Sequence, residues 1–291
     1  MRYSVYGLAV GSVFSLILFF GISQAGATTV VYTSFPTGTP GLALNGSAIV
    51  GYNNGIDSTP VLQLVPASGS RSGSAFSQTM LNASSFSAAF TFRITNPGGG
   101  TDPAGSVGAD GLVFVVQSVS SSQGSTGGGI GYAGIQHSVG IEFDTWQNTE
   151  YGDPSSNHIG IDQNGSMTSL TAVNISPDNF DNHQLWYAWV DYNDATQTLE
   201  VRANETGVRP TAPTLSRSGL NLTSILGQTN AYVGFTAGTG GDYENSDIVS
   251  FQYNDSYNPI VGATIPEPLT MAGLMLGIGG LAGYIRKRRT A

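Results

Sequence analysis

The chain has 291 residues, among them 40 Gly, 13 Pro and no Cys, and 19 acidic against 10 basic side chains give a formal net charge of −9. Without Cys there is no disulfide framework, zinc–thiolate site or thiol nucleophile, and the acidic balance makes a poor partner for nucleic-acid phosphates. Charged residues are 10% of the chain, too few for a coiled coil or for charge-driven disorder.

Residues 1–27 read as a secretory signal peptide. Arg2 supplies the charged start, Val13–Ile22 the apolar middle, and Ala25-Gly26-Ala27 an A-x-A cleavage site. An uncleaved anchor is the competing reading. From residue 28 to about 260, Gly, Ser, Asn and Pro punctuate short runs rich in Val, Ile, Phe, Tyr and Thr. These are Thr29–Tyr32, Ala88–Ile94, Leu112–Val116, Val139–Thr145, Leu185–Tyr192, Thr198–Arg202 and Ile248–Tyr253. No long stretch carries a helical period with caps, so residues 28–260 predict one all-β domain, a sandwich or barrel. Val119–Gly129 reads as a flexible loop from its composition. Residues 261–291 form a second address. Ile265-Pro266-Glu267-Pro268 precedes the apolar stretch Leu269–Ile285, at the short limit of a membrane-spanning helix, and Arg286-Lys287-Arg288-Arg289 follows as a cluster that stays cytoplasmic.

The chemistry concentrates in Val139–Asp162. In a strand, Val139, Ile141 and Phe143 share one face while Glu142, Asp144 and Trp146 share the other. Two carboxylates on one face repel unless something neutralises them. There is no Lys or Arg between Arg93 and Arg202 to do so. An acidic loop follows with Asn148, Glu150 and Asp153, then His158-Ile-Gly-Ile-Asp162 alternates again. Glu142, Asp144, Asp153 and His158 can thus converge on a cation. Hard oxygens suit calcium, and a set with one imidazole suits manganese, zinc or another transition ion. A solvated acidic loop with a surface His is the competing reading.

Other patterns carry less. Gly129-Ile-Gly131-Tyr-Ala-Gly134 fits GxGxxG but leads into a strand, with no helix N-terminus to take a phosphate. No GxSxG elbow is present. Glu142 and Asp144 begin the ExDxxE spacing of some glycoside hydrolases, but position 147 is Gln.

The C-terminal tail resembles the PEP-CTERM sorting signal of Gram-negative bacteria. That resemblance implies export through the inner membrane, a transient membrane helix, processing by an exosortase-type protease, and a final place at the cell surface or outside the cell. Val139–Asp162 resembles the metal-binding stretch of the legume lectins. Leu42–Ala48, Leu62–Leu64, Gly73–Phe76, Phe86–Ile94, Ala109-Asp110-Gly111 with Leu112–Val116, and Tyr232–Gly240 through Asp247–Phe251 follow the family's strands in order. The chain is thus similar to bacterial L-type lectin-like domains with PEP-CTERM tails.

The resemblance implies a concanavalin A-like jelly-roll β-sandwich that binds a glycan or exopolysaccharide without catalysis. It implies Glu142, Asp144, Asp153 and His158 as ligands of a transition-metal ion, usually Mn2+. It implies Asp144, Asp153, Asn148 and the Trp146 carbonyl as ligands of Ca2+. The ions would support a cis peptide before Asp110. Asp110, Asn148 and a backbone N–H of the Gly-rich loop would bind sugar hydroxyls, with Trp146 as an apolar face. Gly131 is the preferred N–H, Gly129 the alternative. The loop Gly241-Asp242-Tyr243 would tune which sugar fits, and relatives of this kind often form homo-oligomers through sheet edges, though the sequence itself sets no oligomeric state. The competing functions are a structural or adhesive surface protein without sugar binding, and a glycoside hydrolase.

Overall fold

The computed structural model describes residues 29–53, 58–122 and 126–262. The signal peptide and the apolar stretch of the tail lie outside them. Among the described residues no helix is long and apolar enough to cross a membrane.

Alternation decides the architecture. In the strand Phe86–Gly98, Phe86, Ala88, Phe90, Phe92 and Ile94 all enter the main core, as do Val139, Ile141 and Phe143 of Ser138–Asp144. Two faces patterned this way must be buried against each other. The result is two packed antiparallel sheets of eight strands each. One runs in the order Leu215–Ser218, Thr198–Asn204, Trp186–Asn193, Phe86–Gly98, Tyr243–Asn254, Val61–Val65, Ile49–Tyr52, with Thr29–Tyr32 also pairing to Tyr243–Asn254. The other runs Thr171–Asn174, His158–Gln163, Ser138–Asp144, Gly111–Gln117, Asn230–Gly238, Ser72–Ser77, Leu42–Gly46, with Leu81–Asn82 pairing to Asn230–Gly238. Between the sheets lies an aromatic cluster. Phe90 sits 5.6 Å from Phe114, 5.6 Å from Phe143 and 5.0 Å from Phe235, in stacked and edge arrangements that suit ring quadrupoles.

Each sheet is also covered on its outer face. On the second sheet, Val113 and Val115 pack beneath Ile130, Tyr132 and Ile135. Gly140 makes this possible, because a Cβ there would stand 2.9 Å from the Tyr132 ring. On the first sheet, Ala89 and Trp189 are covered by Ile260, and Gly262 bridges to Val208.

The structure extends the sequence reading in three places. Ile49–Tyr52, Leu81–Asn82, Thr171–Asn174 and Leu215–Ser218 are additional short strands at edges or ends. Leu222–Leu226 is a helix, capped by the Asn221 side chain accepting from Ser224 N at 2.8 Å and closed by Gly227 at φ 73°. At the far end of the Val119–Gly129 loop, Gly127–Gly129 form a 3-10 turn. It is held there by Gly127 N–H donating to Thr239 O at 3.0 Å and by Thr236 Oγ1 donating to Ile130 O at 2.8 Å.

Candidate functional site

Strand register brings the acidic residues together. Asp144 is directly opposite His158 on one side and Gly111 on the other, and Glu142 is opposite Gly160. Glu142, Asp144 and His158, all buried, each offer a ligand atom within 4.8 Å of the others. Asp153 reaches in from the loop, with Oδ1 3.9 Å from His158 Nε2. Its other oxygen accepts from Asn148 N at 2.6 Å, while Asp144 Oδ1 accepts from Trp146 N at 2.6 Å. The carboxylates therefore fold the loop that carries them.

The electrostatics call for a cation. Burial, then the charges of Glu142 and Asp153, push the Asp144 pKa well up. Burial also pushes Asp153 up to about 6. His158 Nδ1 lies 3.0 Å from Ser155 O, so that nitrogen donates and Nε2 faces Glu142 Oε1 at 3.3 Å. A lone pair aimed at a carboxylate is unfavourable, so Nε2 must carry a proton or bind a metal. Burial opposes the charged ring, but the bond and charge of Glu142, with Asp153, outweigh it and raise the His158 pKa. Three carboxylates and one imidazole fit a divalent transition ion. Asn148, whose backbone N–H bonds Asp153, carries a buried Oδ1 with no hydrogen-bond partner, a hard oxygen of the kind calcium takes.

Three further residues shape this cluster, and their roles were not read from the sequence. A Cβ on Gly160 would stand 2.1 Å from Glu142 Oε1 and 2.2 Å from Ser169 Oγ, so only Gly leaves room. Ser169 Oγ lies 2.6 Å from Glu142 Oε1 and 2.7 Å from Asp162 Oδ1. One hydroxyl proton cannot serve both carboxylates at once. Asp162 is fully buried, and burial and the charge of Glu142 push its pKa well up. Gly160 and Asp162 share a strand face with His158, and that alternation was the available signal. Ser169 had none, since it lies on the connection that follows that strand.

The second half of the site adjoins the first. The Ala109–Asp110 peptide is cis. Gly111 follows at φ 104°, where a Cβ would strike Phe143 O at 2.2 Å, so the backbone of this turn sits directly on the Phe143–Asp144 peptide. Asp110 is 5% exposed and its Oδ2 has no partner. Burial and then the charge of Asp242, partly offset by the Gly240 N–H, push its pKa up to about 7. Gly240 lies beside Asp110 Oδ2, and Gly127 beside Gly240. A Cβ on Gly128 would be 2.9 Å from the Asn148 amide. Asp110, the Gly127–Gly129 turn and Asn148 therefore surround one place.

The remaining predicted residues are distributed around it. Trp146 is half-buried at the end of the strand. Gly131 is buried against Thr236 and Ala237, and the glycine of its loop that abuts Asn148 is Gly128. Gly241 is exposed with open space beside it, and Asp242 Oδ1 accepts from Gly100 N. Glu244, unread in the sequence, is fully buried near the start of the strand Tyr243–Asn254. It accepts from Thr145 Oγ1 at 2.7 Å, and burial holds its pKa well up.

Known proteins share this arrangement of strands. The legume lectin domain family matches residues 27–266. A lectin of Leucomphalos mildbraedii is 27% identical over 252 residues, covering 80% of this chain and 97% of that one. The L-type lectin-domain containing receptor kinase VIII.1 of Arabidopsis thaliana is 31% identical over 199 residues, 66% of this chain but 26% of the kinase, so the match spans about a quarter of that protein. Among solved structures, basic winged bean lectin with Tn-antigen superposes with a TM-score of 0.61 at 27% identity, covering 78% of this chain and 98% of that one. Peanut lectin with a nine-residue peptide gives 0.62 at 25% identity, covering 79% and 97%. With the fold and nearly the whole described region in common, the chain belongs to the legume lectin domain family.

Proposed function

We propose that this protein is a metal-dependent, non-catalytic lectin, exported and displayed at or released from the surface of a Gram-negative bacterium. The observation that carries the sugar site is Asp110 Oδ2, a buried oxygen without a hydrogen-bond partner, which lies beside Gly240 and across the Gly127–Gly129 turn from the Asn148 amide. A buried polar atom without a partner is uncommon and points to a missing ligand. Asp110 accepts sugar hydroxyls, the Asn148 side-chain NH2 donates one bond, and a backbone N–H of the turn donates another. Glu142, Asp144, Asp153 and His158 hold a transition ion, Mn2+ by the family's habit. Asp144, Asp153, Asn148 and the Trp146 carbonyl hold Ca2+. The ions neutralise the cluster and fix the loop that carries Asn148. Winged bean lectin is known with Tn-antigen, and a glycan or exopolysaccharide is the partner that fits here. The export reading rests on the signal peptide and PEP-CTERM tail, with an exosortase-type protease as processing partner.

Catalysis is disfavoured because Glu142 is bonded to His158 and Ser169 inside the cluster, where it cannot also serve as acid or nucleophile. The test is a glycan array on the mature chain, with calcium and manganese and again after chelation. Binding that chelation abolishes and readdition restores is expected; no binding by the metal-loaded protein across a broad array would overturn the sugar assignment.

A further inference from the structure

The loop between Gly98 and Ala109 touches both halves of the site, and its centre is a residue that neither half uses. Asp102 is 5% exposed. Its Oδ1 accepts from Ala104 N at 2.9 Å and Ser106 N at 2.8 Å, which closes its own turn. Its Oδ2 faces the metal loop and accepts from Gln147 N at 3.1 Å. The Ser156 hydroxyl also donates to this carboxylate. Burial opposes the charge on Asp102, but the bonds from Ser156, Gln147, Ser106 and Ala104 outweigh it and hold the pKa below the usual carboxylate range.

Gln147 N and the Trp146 carbonyl belong to one peptide unit. That unit is planar, and in its trans form the N–H and C=O point in opposite directions. Whatever fixes the N–H therefore aims the carbonyl. An anionic acceptor on the N–H also polarises the amide and makes its oxygen a stronger donor. The same loop reaches the other side of the site through Gly100 N–H, which donates to Asp242 Oδ1.

We infer that Asp102 is a positioning residue of the calcium site: by holding the Gln147 N–H and the Ser156 hydroxyl, it aims the Trp146 carbonyl at the metal and sets the place of Asn148. The inference rests on the metal-dependent reading above. It assigns to the 98–108 loop the task of fixing the metal loop from outside.

Asp102→Asn tests it. An amide has one acceptor oxygen for two sides, and the turn offers two N–H donors against one from Gln147. The turn thus keeps its cap while the Gln147 N–H loses its acceptor. Calorimetric titration with calcium alone is expected to show a Kd weakened about tenfold or more, as for other outer partners of metal ligands. The metal-free melting temperature should match wild type, and amide exchange at Gln147 and Asn148 should quicken in the metal-free protein. Asp102→Ala removes both sides and should weaken calcium at least as much. An unchanged Kd in folded Asp102→Asn overturns the inference. So does a weakened Kd that tracks a fall in the folded fraction with no change in Gln147 exchange. A wild-type protein that takes up no calcium instead overturns the metal reading, and Gln147 exchange then still decides whether Asp102 holds the loop.

Discussion

Asp110 shows how the site's design can be read one side chain at a time. Its carboxylate is buried, short of a partner and near Asp242, so its charged form is disfavoured until a ligand arrives. Asp110→Asn should lose sugar affinity by about 10- to 100-fold, the worth of hydrogen bonds to a charged acceptor, measured by calorimetry. Its metal content should hold, and its metal-free melting temperature at pH 8 should equal or exceed wild type, because a strained charge has gone. Gly160→Ala should do the reverse. A methyl 2.1 Å from Glu142 Oε1 forces that carboxylate out of place, so transition-metal affinity should fall at least about tenfold, read by titration with Mn2+. At this scale the sequence was informative wherever alternation or a gapless motif applied. Glu142, Asp144 and His158 do converge on one place. It was uninformative about Ser169, Asp102 and Glu244, whose contacts depend on how separate connections cross in space. Gly128 beside Asn148 was missed for a related reason: the loop's spacing was unusual, and only the 3-10 turn shows which glycine abuts the amide.

Elements were legible in proportion to their length and burial. Long strands with an apolar face announced themselves, and Thr29–Tyr32 has the bounds read for it. Phe86–Gly98 runs well past the Ala88–Ile94 core of the signal, because its pairing with Tyr243–Asn254 continues beyond the apolar stretch. Edge strands such as Thr171–Asn174 have only half-buried or exposed residues and so no pattern to find. The helix Leu222–Leu226 has too few residues to display a period, yet its ends were written plainly: Asn221 as cap and Gly227 as stop. Asn221→Ala should therefore destabilise the protein by about 1 kcal/mol, seen as a lower denaturant midpoint with unchanged slope. A slope change would mean that the helix is not part of the cooperative unit.

For the whole molecule, the acidity has a thermodynamic consequence. In the metal-free fold, Asp110 is raised to about 7 and Asp153 to about 6, and Asp144, Asp162 and Glu244 are raised as well. Each holds in the folded state a proton that the unfolded chain has released above about pH 4. Stability therefore falls as pH rises from about 4 through 7. His158, also raised, adds stability below its unfolded value and loses it as pH climbs through the folded one, so its sign is the same. The metal-free melting temperature should drop between pH 5 and pH 8, by scanning calorimetry. Asp110 alone contributes on the order of 4 kcal/mol at most. Calcium with manganese should raise the melting temperature most at pH 8, where the carboxylates are free to bind. A metal-free protein that is more stable at pH 8 than at pH 5 would contradict this account.

Ile260 has a consequence for presentation. It lies over Trp189 and Ala89 on the outer face of the first sheet, and Gly262 bridges to Val208 beside it. Asp110, Asp144 and Gly238 stand at strand ends of the second sheet. The last described residues therefore lie along the outer face of the first sheet, while the residues of the candidate site gather at strand ends of the second. If the protein binds sugar as proposed, a support that holds that outer face leaves the strand-end loops free, and many weak grips acting together would hold a polymer that no single one could keep.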